Sequence, residues 1–287
     1  MADRIAWHDA PEWGRPRGIT AYGNGPIWDT TPLAVIAGGV AGTDICIEGH
    51  ASQRTLQKDR AMAGVKVFVA LPRLASVTVQ EFHDHWRHPH ATLGLGITTA
   101  THYVQSHRVD THLLGAGQAR YDGIAEVWFD NLSDATGMRE HHVYREFLSP
   151  DEPTFIDMAE LGFIVADEEV LMSGPNADPS MEVADAAWRE RQRPTTTKLI
   201  QLFQSDATAW VSDDDFTLGR SIGALRHTRC YANPAAPGGS IRGVRELWWP
   251  TVSDFQRGVA RARDAWERLL NQPKDAIALL ASAERFF

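Results

Sequence analysis

The sequence has little cysteine, no excess of basic charge and no long apolar run. Cys46 and Cys230 are its only cysteines and no C-x-x-C motif occurs, so we expect neither a disulfide framework nor a cysteine-based metal site. The formal net charge of −9 argues against nucleic acid as a partner, because phosphate binding needs clustered Lys and Arg. No segment approaches the roughly 18 apolar residues that a membrane span requires.

The remaining composition is typical of a soluble globular protein. Apolar residues make up 43% and charged residues 23% of the 287 residues. The first residues show no basic region followed by an apolar segment, so no secretory signal is expected and a cytoplasmic location is predicted. Neither nucleic acid nor a membrane is expected as a partner, and pairing into a homodimer is left open.

An internal repeat gives the strongest clue to the fold. Residues 121–134 align without gaps to residues 241–254, at an offset of 120, with Gly, Glu, Trp and Ser-Asp at matching positions. A shorter match relates the apolar runs 65–71 and 197–203. Each longer segment predicts a strand followed by a helix, with Ser133 or Ser253 as the helix N-cap.

The first copy predicts the order β-α-β-β-α-β, which is that of a ferredoxin-like unit. The fold class is therefore α+β, with two ferredoxin-like repeats fused into one dimeric α+β barrel, antiparallel sheets face to face and helices outside. The predicted domains are an N-terminal arm (1–64), the first repeat carrying the site (65–171), a linker (172–196) and a second, degenerate repeat (197–287).

The elements within these repeats are predicted from hydrophobic period and turn residues. In the first copy they are strands at 65–71, 101–109, 121–129 and 161–166 and helices at 78–88 and 133–147. In the second copy the acidic stretch beginning at Asp213 is expected to replace the first helix. A helix at 253–270 and a last strand at 284–287 complete it. Copy two is thus expected to have lost its site.

Histidines point to the site of chemistry. Nine of the twelve lie between His83 and His142, and four of these fall between His83 and His90. Pro89 disfavours helical angles at His88, so the helix is expected to end or kink there and to leave His90 on a loop beside a cavity. A histidine that titrates near neutral pH is a natural general base or acid.

The run Phe82-x-x-x-Trp86-x-x-x-His90 resembles the start of EthD-like proteins, a branch of the dimeric α+β barrel superfamily. The segments 103–107 and 121–129 also resemble strand signatures of that family. The resemblance covers about residues 65–170. It implies a cavity between the sheet and the first helix, lined by histidines and aromatic rings. Carried over residue by residue, it points to Trp86, His90, His107, Tyr121 and Asp122.

The predicted site combines this pattern with strand alternation. His90 is predicted as general base, with His107 and Tyr121 polarising or protonating a substrate oxygen. His107 shares a sheet face with Tyr103 and Gln105, opposite to His102. The predicted substrate-binding residues are Phe82, His85, Trp86, His102, Tyr103 and Asp122. No metal ligand set and no cofactor are expected.

These features predict a cofactor-independent lyase or isomerase that acts on a small aromatic, lactone or polyketide-like substrate by His acid/base chemistry. Two alternatives stay open. One is a ligand-binding or assembly protein without catalysis. The other is a cofactor-free monooxygenase or a haem-binding enzyme, since relatives in this superfamily include both oxygenases and haem proteins.

Overall fold

The computed structural model describes residues 64–173, 195–205, 210–271 and 276–287. The predicted arm, and most of the predicted linker, lie outside these residues. Eight strands form the framework: β1 (Val65–Leu71), β2 (Ala100–Val109), β3 (Gly123–Phe129), β4 (Gly162–Ser173), β5 (Thr195–Phe203), β6 (Arg226–Ala232), β7 (Gly243–Trp249) and β8 (Ile277–Arg285).

The strands close into one antiparallel barrel in the order β1-β3-β2-β8-β5-β7-β6-β4. Each repeat contributes four adjacent strands in the order fourth, first, third, second. The two sets join where β2 pairs with β8 and β4 pairs with β6. The registers coincide as well, since Lys66 lies opposite Trp128 and Lys198 opposite Trp248. The predicted fold of two fused ferredoxin-like repeats is therefore confirmed.

One buried lysine and one buried glutamate from each repeat meet inside the largely apolar barrel. Lys66 Nζ lies 2.8 Å from a carboxylate oxygen of Glu126 and 2.6 Å from one of Glu246, and Lys198 Nζ lies 2.7 Å and 3.2 Å from the same two residues. All four side chains are buried. Because each ammonium group faces both carboxylates, the cluster ties the two repeats together at the centre of the barrel. Glu126 and Glu246, which recur at the same position of the two copies, therefore belong to a structural ion-pair cluster.

Helices and helical turns cover the outer faces of the sheets. The α-helices are α1 (Val79–His85), α2 (Ala91–Gly94), α3 (Leu132–Gly137), α4 (Ser149–Asp151), α5 (Asp215–Ser221), α6 (Val252–Arg261) and α7 (Arg263–Leu270). Turns of π-helix span Trp86–His90 and Tyr144–Leu148, and 3₁₀ turns span Ala116–Arg120, Met138–Glu140 and Glu152–Thr154. None of the helices in the described ranges is long and apolar enough to cross a membrane.

The first helix corrects the prediction that His90 lies on a loop beyond the end of the helix. Thr78 caps α1, and the chain then continues through the π-helical turn Trp86–His90 into α2. The amide of Ala91 donates to the carbonyl of Trp86, five residues back. This wider turn accommodates a proline ring without a backbone donor. His90 therefore lies within a helical turn and not on a loop.

Two predictions for the second repeat are also wrong. The second repeat keeps a first helix, α5, whose Asp215 is buried. Its last strand is β8 (Ile277–Arg285), longer than the predicted 284–287, because its apolar residues complete the barrel between β2 and β5.

The second helices also differ from prediction. Their N-caps are Asn131 and Thr251, whose side chains accept the amides of Asp134 and Asp254. The predicted helix 133–147 is a short α3 followed by turns. The predicted helix 253–270 is divided at Ala262, whose backbone leaves the helical region. Each cap lies two residues earlier than predicted, because Asn and Thr compete with the following Ser for this role.

Candidate functional site

A cleft lies on the outer face of the first repeat's sheet, beneath the helical segments that follow β1 and β3. Its inner part is a cavity of about 80 Å³ and its outer part a cavity of about 270 Å³. Both are lined by Val69, Met138, Tyr144 and Glu152, so they adjoin one another. The walls are mainly aliphatic and aromatic, which suits an apolar ligand.

His90 is the titratable group of the inner cavity with the clearest orientation. Its Nδ1 lies 2.8 Å from Oδ2 of Asp151, and Nε2 of His85 lies 2.8 Å from the other oxygen of that carboxylate. Partial burial raises the pKa of Asp151, but the hydrogen bonds from His90 and His85 lower it, and the pKa lies below its ordinary value. Phe155 packs edge-on against His90, with ring centroids 5.2 Å apart. The carboxylate fixes the ring and leaves Nε2 available.

Tyr103 is the hydroxyl at the floor of the inner cavity. Its oxygen accepts the indole N–H of Trp86 at 3.2 Å and the amide of Gln105 at 2.8 Å. Burial raises the pKa of Tyr103 to about 12, so the hydroxyl keeps its proton at neutral pH. Phe287 also lines the cavity and contacts the Tyr103 ring.

A polar chain continues from Tyr103 along the sheet. The side-chain oxygen of Gln105 lies 3.0 Å from Nε2 of His107, and Nδ1 of His107 lies 2.8 Å from Nδ1 of His83. His107 is buried and His83 partly exposed. Burial, reinforced by Arg87 and His83, lowers the pKa of His107 to about 2, so this imidazole is neutral.

A second polar pair lies where the inner and outer cavities adjoin. The hydroxyl of Tyr144 donates to Oε2 of Glu152 at 2.8 Å. Burial raises the pKa of Glu152 and also raises that of Tyr144 to about 12. The pair places a phenol hydroxyl and a carboxyl group where the two cavities adjoin.

Gly123 explains how close the first helix can approach the sheet. A Cβ atom at this position would overlap the Trp86 ring. Only glycine lets the indole lie on the strand, where its N–H reaches Tyr103. Phe82 packs beside Trp86 in the same buried cluster, with ring centroids 5.7 Å apart.

The structure brings together only part of the predicted site set. Trp86, His90 and Tyr103 line the inner cavity. Phe82 and His107 pack against Trp86, and His85 shares the Asp151 carboxylate with His90. Tyr121 instead packs into the barrel interior. Asp122 accepts from the backbone of Arg73 and the guanidinium of Arg108. His102 lies over Trp128, on the opposite sheet face to Tyr103.

Sequence reasoning missed Asp151, Glu152, Tyr144 and His83 as partners in the site. Asp151 and Glu152 lie about sixty residues beyond His90, in a proline-containing turn with no recognisable spacing. His83 carried a signal, because it is one turn before the predicted site residues on the same helix. Gln105 was placed on the correct face by strand alternation.

One group of possible metal ligands occurs among the described residues, inside the barrel: Glu168, Cys230 and Glu246. Lys66 Nζ lies 2.6 Å from Glu246 and 3.7 Å from Glu168. The lysine therefore already supplies the positive charge that a metal would bring, and the group does not favour a metal centre.

Comparison with known proteins agrees with this architecture. The model of the EthD domain matches residues 75–159, which include α1, the π-helical turn, β2, β3 and α4. No curated protein sequence matches the chain. A structure described as an anthrone oxidase-like protein superposes with a TM-score of 0.52 at 8% identity, covering 78% of this chain and 93% of the other. A mutant chlorite dismutase from Candidatus Nitrospira defluvii superposes with a TM-score of 0.38 at 12% identity, covering 81% and 94%.

Proposed function

We propose that this chain, which carries an EthD domain in a dimeric α+β barrel, is a lyase or isomerase that transfers protons with its own side chains. The observation that supports this most directly is the His90–Asp151 pair at an apolar cavity. We propose a small aromatic, lactone or polyketide-like molecule as the substrate. The cytoplasmic location and the homodimer remain expectations from the sequence.

His90 is the proposed general base. Asp151 accepts Nδ1–H, which leaves the lone pair on Nε2 for a substrate proton. When the imidazole becomes charged, the carboxylate stabilises it. Asp151 and His85 are thus proposed as positioning residues for the base, and Trp86 and Phe82 as the apolar wall that excludes water.

Tyr103 is the proposed hydrogen-bond donor to the substrate oxygen, a role that the sequence predicted for Tyr121 and His107. In the proposed step, Nε2 of His90 removes a proton from the carbon beside a carbonyl group. The electron pair of that C–H bond moves to the carbonyl oxygen, and the Tyr103 hydroxyl stabilises the enolate. Return of a proton to another position completes an isomerisation, and loss of a β-leaving group completes an elimination.

The two cavities indicate the shape of the substrate. The inner cavity has room for the reacting carbonyl and little more, whereas the larger outer cavity is bordered by Val67, Val165, Phe163 and Leu161. We therefore propose an elongated substrate with the reacting oxygen at the inner end and an apolar ring or chain at the outer end.

Proton abstraction can be tested with a simple ketone. Incorporation of deuterium at the α-carbons of 2-tetralone in D₂O, followed by NMR, should be faster with the protein than in buffer. His90→Gln should lower the protein-dependent rate by about 100-fold or more, because it removes the base. His88→Gln, an exposed histidine in the same helical turn, is the matched control and should keep the rate.

Two results would contradict the proposal. One is a wild-type exchange rate equal to that of buffer, which would favour a binding or assembly protein. The other is an undiminished rate in His90→Gln. A Soret band that forms stoichiometrically with added haemin, and that His90→Gln abolishes, would instead assign His90 to haem.

A further inference from the structure

The side chains of His83, His107, Gln105 and Tyr103 form a continuous hydrogen-bonded chain. It leads from the partly exposed His83 on α1 to the floor of the inner cavity, with successive separations of 2.8, 3.0 and 2.8 Å. We infer that this chain has a single direction, and that His83, His107 and Gln105 are positioning residues that force Tyr103 to donate its hydrogen bond into the cavity. The inference rests on the proposed function, since it specifies how that site binds an oxyanion.

The direction of the chain is fixed first at Gln105. Its Nε2 lies 2.8 Å from the backbone carbonyl of Trp86, which can only accept. The amide nitrogen must therefore face Trp86 and Tyr103, and its second hydrogen goes to the Tyr103 oxygen. The amide oxygen is then left facing His107, so the Gln105 side chain cannot be flipped without opposing two carbonyl oxygens.

The imidazoles follow from this orientation. Because Nε2 of His107 faces the amide oxygen of Gln105, Nε2 must carry hydrogen. The buried ring is neutral, so Nδ1 of His107 holds a lone pair. Nδ1 of His83 must then carry the hydrogen between the two rings. Every donor in the chain thus points from His83 towards Tyr103.

The chain ends at a hydroxyl with its acceptor positions filled. The Tyr103 oxygen accepts from both Trp86 and Gln105, so its two lone pairs are engaged. Its hydrogen is left to point away from both, and Tyr103 lines the inner cavity. A donor that is already aimed at the ligand costs no reorganisation when negative charge develops on a substrate oxygen.

The ligand class that this arrangement favours is an oxyanion such as a phenolate or an enolate. Each link of the chain strengthens when the next acceptor becomes more negative, since hydrogen-bonded groups polarise one another. No proton needs to leave Tyr103, whose raised pKa keeps it protonated throughout. The three residues behind Tyr103 therefore act through its hydroxyl and not on the substrate itself.

4-Nitrophenol is a suitable probe, because its phenolate absorbs visible light and binding can be followed without turnover. Titration of the bound ligand in the full-length protein should show a preference for the phenolate of about 10-fold or more over free solution, which corresponds to a shift of about one pKa unit. Tyr103→Phe should abolish the preference. Gln105→Met and His107→Phe should each lose most of it, because the hydroxyl is then free to rotate.

Two further variants separate positioning from packing. His83→Leu alters the half-exposed end of the chain, where loss of folding is least expected, and should weaken the preference by a few-fold. His88→Gln is the control on the same helix and should retain it. Thermal melting of each variant confirms that a folded protein is being compared.

Two results would overturn the inference about the hydrogen-bonded side chains. Equal phenolate preference in wild type, His83→Leu, Gln105→Met and His107→Phe would overturn the inference even if Tyr103→Phe abolished it. A wild-type protein that does not bind 4-nitrophenol, or shows no preference for its phenolate, would also overturn it. The ketone exchange depends on His90, and His90→Gln should still bind the phenolate, so the two proposals fail separately.

Discussion

Gly123 in the first repeat and Gly243 in the second occupy the same register position, opposite His107 and Tyr231 respectively. In both repeats a tryptophan ring lies where the glycine Cβ would be, Trp86 in one and Trp210 in the other. The tryptophans come from different places in the chain relative to the first helix. The two sheets therefore keep the same way of admitting an aromatic ring, although the segments that supply it have diverged.

Two strand positions further along, the repeats differ in size and charge. Ala125 of the first repeat corresponds to Arg245 of the second. Ala125 lines the inner cavity, whereas Arg245 is fully buried and donates to both oxygens of Asp215 at 2.9 Å. Arg229, at the position of Gln105, lies 2.8 Å from the same carboxylate. The volume that is open in one repeat is thus occupied by an ion-pair cluster in the other.

The comparison shows what makes one face a site and the other a core. Tyr103 and His107 of the first repeat correspond to His227 and Tyr231 of the second. The second repeat therefore has no equivalent of the amide that orients a hydroxyl towards a cavity. Its polar groups neutralise one another, whereas those of the first repeat are left with donors and a base that face the cleft.

The largest expected effect comes from making the first repeat resemble the second. Ala125→Arg introduces a long cationic side chain into the inner cavity, where it would fill the volume that is open to a ligand. We expect the exchange of 2-tetralone and the binding of 4-nitrophenol both to fall by about 100-fold or more, since several kcal/mol would be needed to displace the side chain. Ala125→Ser, which preserves the small volume, should retain both. Wild-type activity in Ala125→Arg would show that this cavity is not where the ligand binds.

The next effect concerns the ion pairs of the second repeat. Asp215→Ala leaves the buried Arg245 and Arg229 without their shared carboxylate, which should lower the free energy of unfolding by about 3–5 kcal/mol. Urea denaturation followed by tryptophan fluorescence measures this. Asp254→Ala removes the partner of the exposed Arg257 and should change the value by no more than about 1 kcal/mol. At temperatures where Asp215→Ala is folded, 4-nitrophenol binding should persist. An equal effect of the two substitutions would show that the second face is not held by these charges.

The same contrast explains which parts of the molecule could be predicted from the sequence. Strand β1 has the predicted limits 65–71, because a run of β-branched and aromatic residues is a local signal. The offset of 120 residues aligned β3 with β7, which share their register positions. Helix α5 was missed because the acidic stretch at its start predicts the loss of a helix there. Asp215 is buried there only because Arg229 and Arg245 reach it from two other strands.

The site was predictable as far as local patterns extended. The Trp86–His90 spacing and the alternation of Tyr103, Gln105 and His107 identified five residues that lie at the cavity or behind it. Asp151 could not be found in this way, because its pairing with His90 joins positions 61 residues apart through tertiary structure. We propose Tyr103 in place of Tyr121 because β3 begins at Gly123, and Tyr121, which precedes the strand, packs into the barrel.

The smallest expected effect concerns two buried imidazoles, His107 in the first repeat and His227 in the second. Burial, followed by the charges of Arg245 and Arg229, lowers the pKa of His227 well below its ordinary value. In the unfolded chain this histidine takes up a proton below about pH 6.5, while in the folded protein it remains neutral. The unfolded state then binds more protons, so stability decreases as the pH falls, by about 1.4 kcal/mol per pH unit for each such group.

His227→Leu removes this proton uptake, so the unfolding free energy should fall less steeply between about pH 6 and pH 4, by the slope of one proton. Between neutral pH and about pH 5, the variant should therefore lose about 2 kcal/mol less stability than the wild type. His107→Leu should reduce the slope by the same amount, since burial holds its pKa at about 2. Only His107→Leu should also lose the phenolate preference, because only the first repeat uses its imidazole to orient a hydroxyl. The exposed His88→Leu should change neither. Urea titrations at a series of pH values provide the measurement, and an unaltered slope in His227→Leu would mean that this imidazole is protonated in the folded protein.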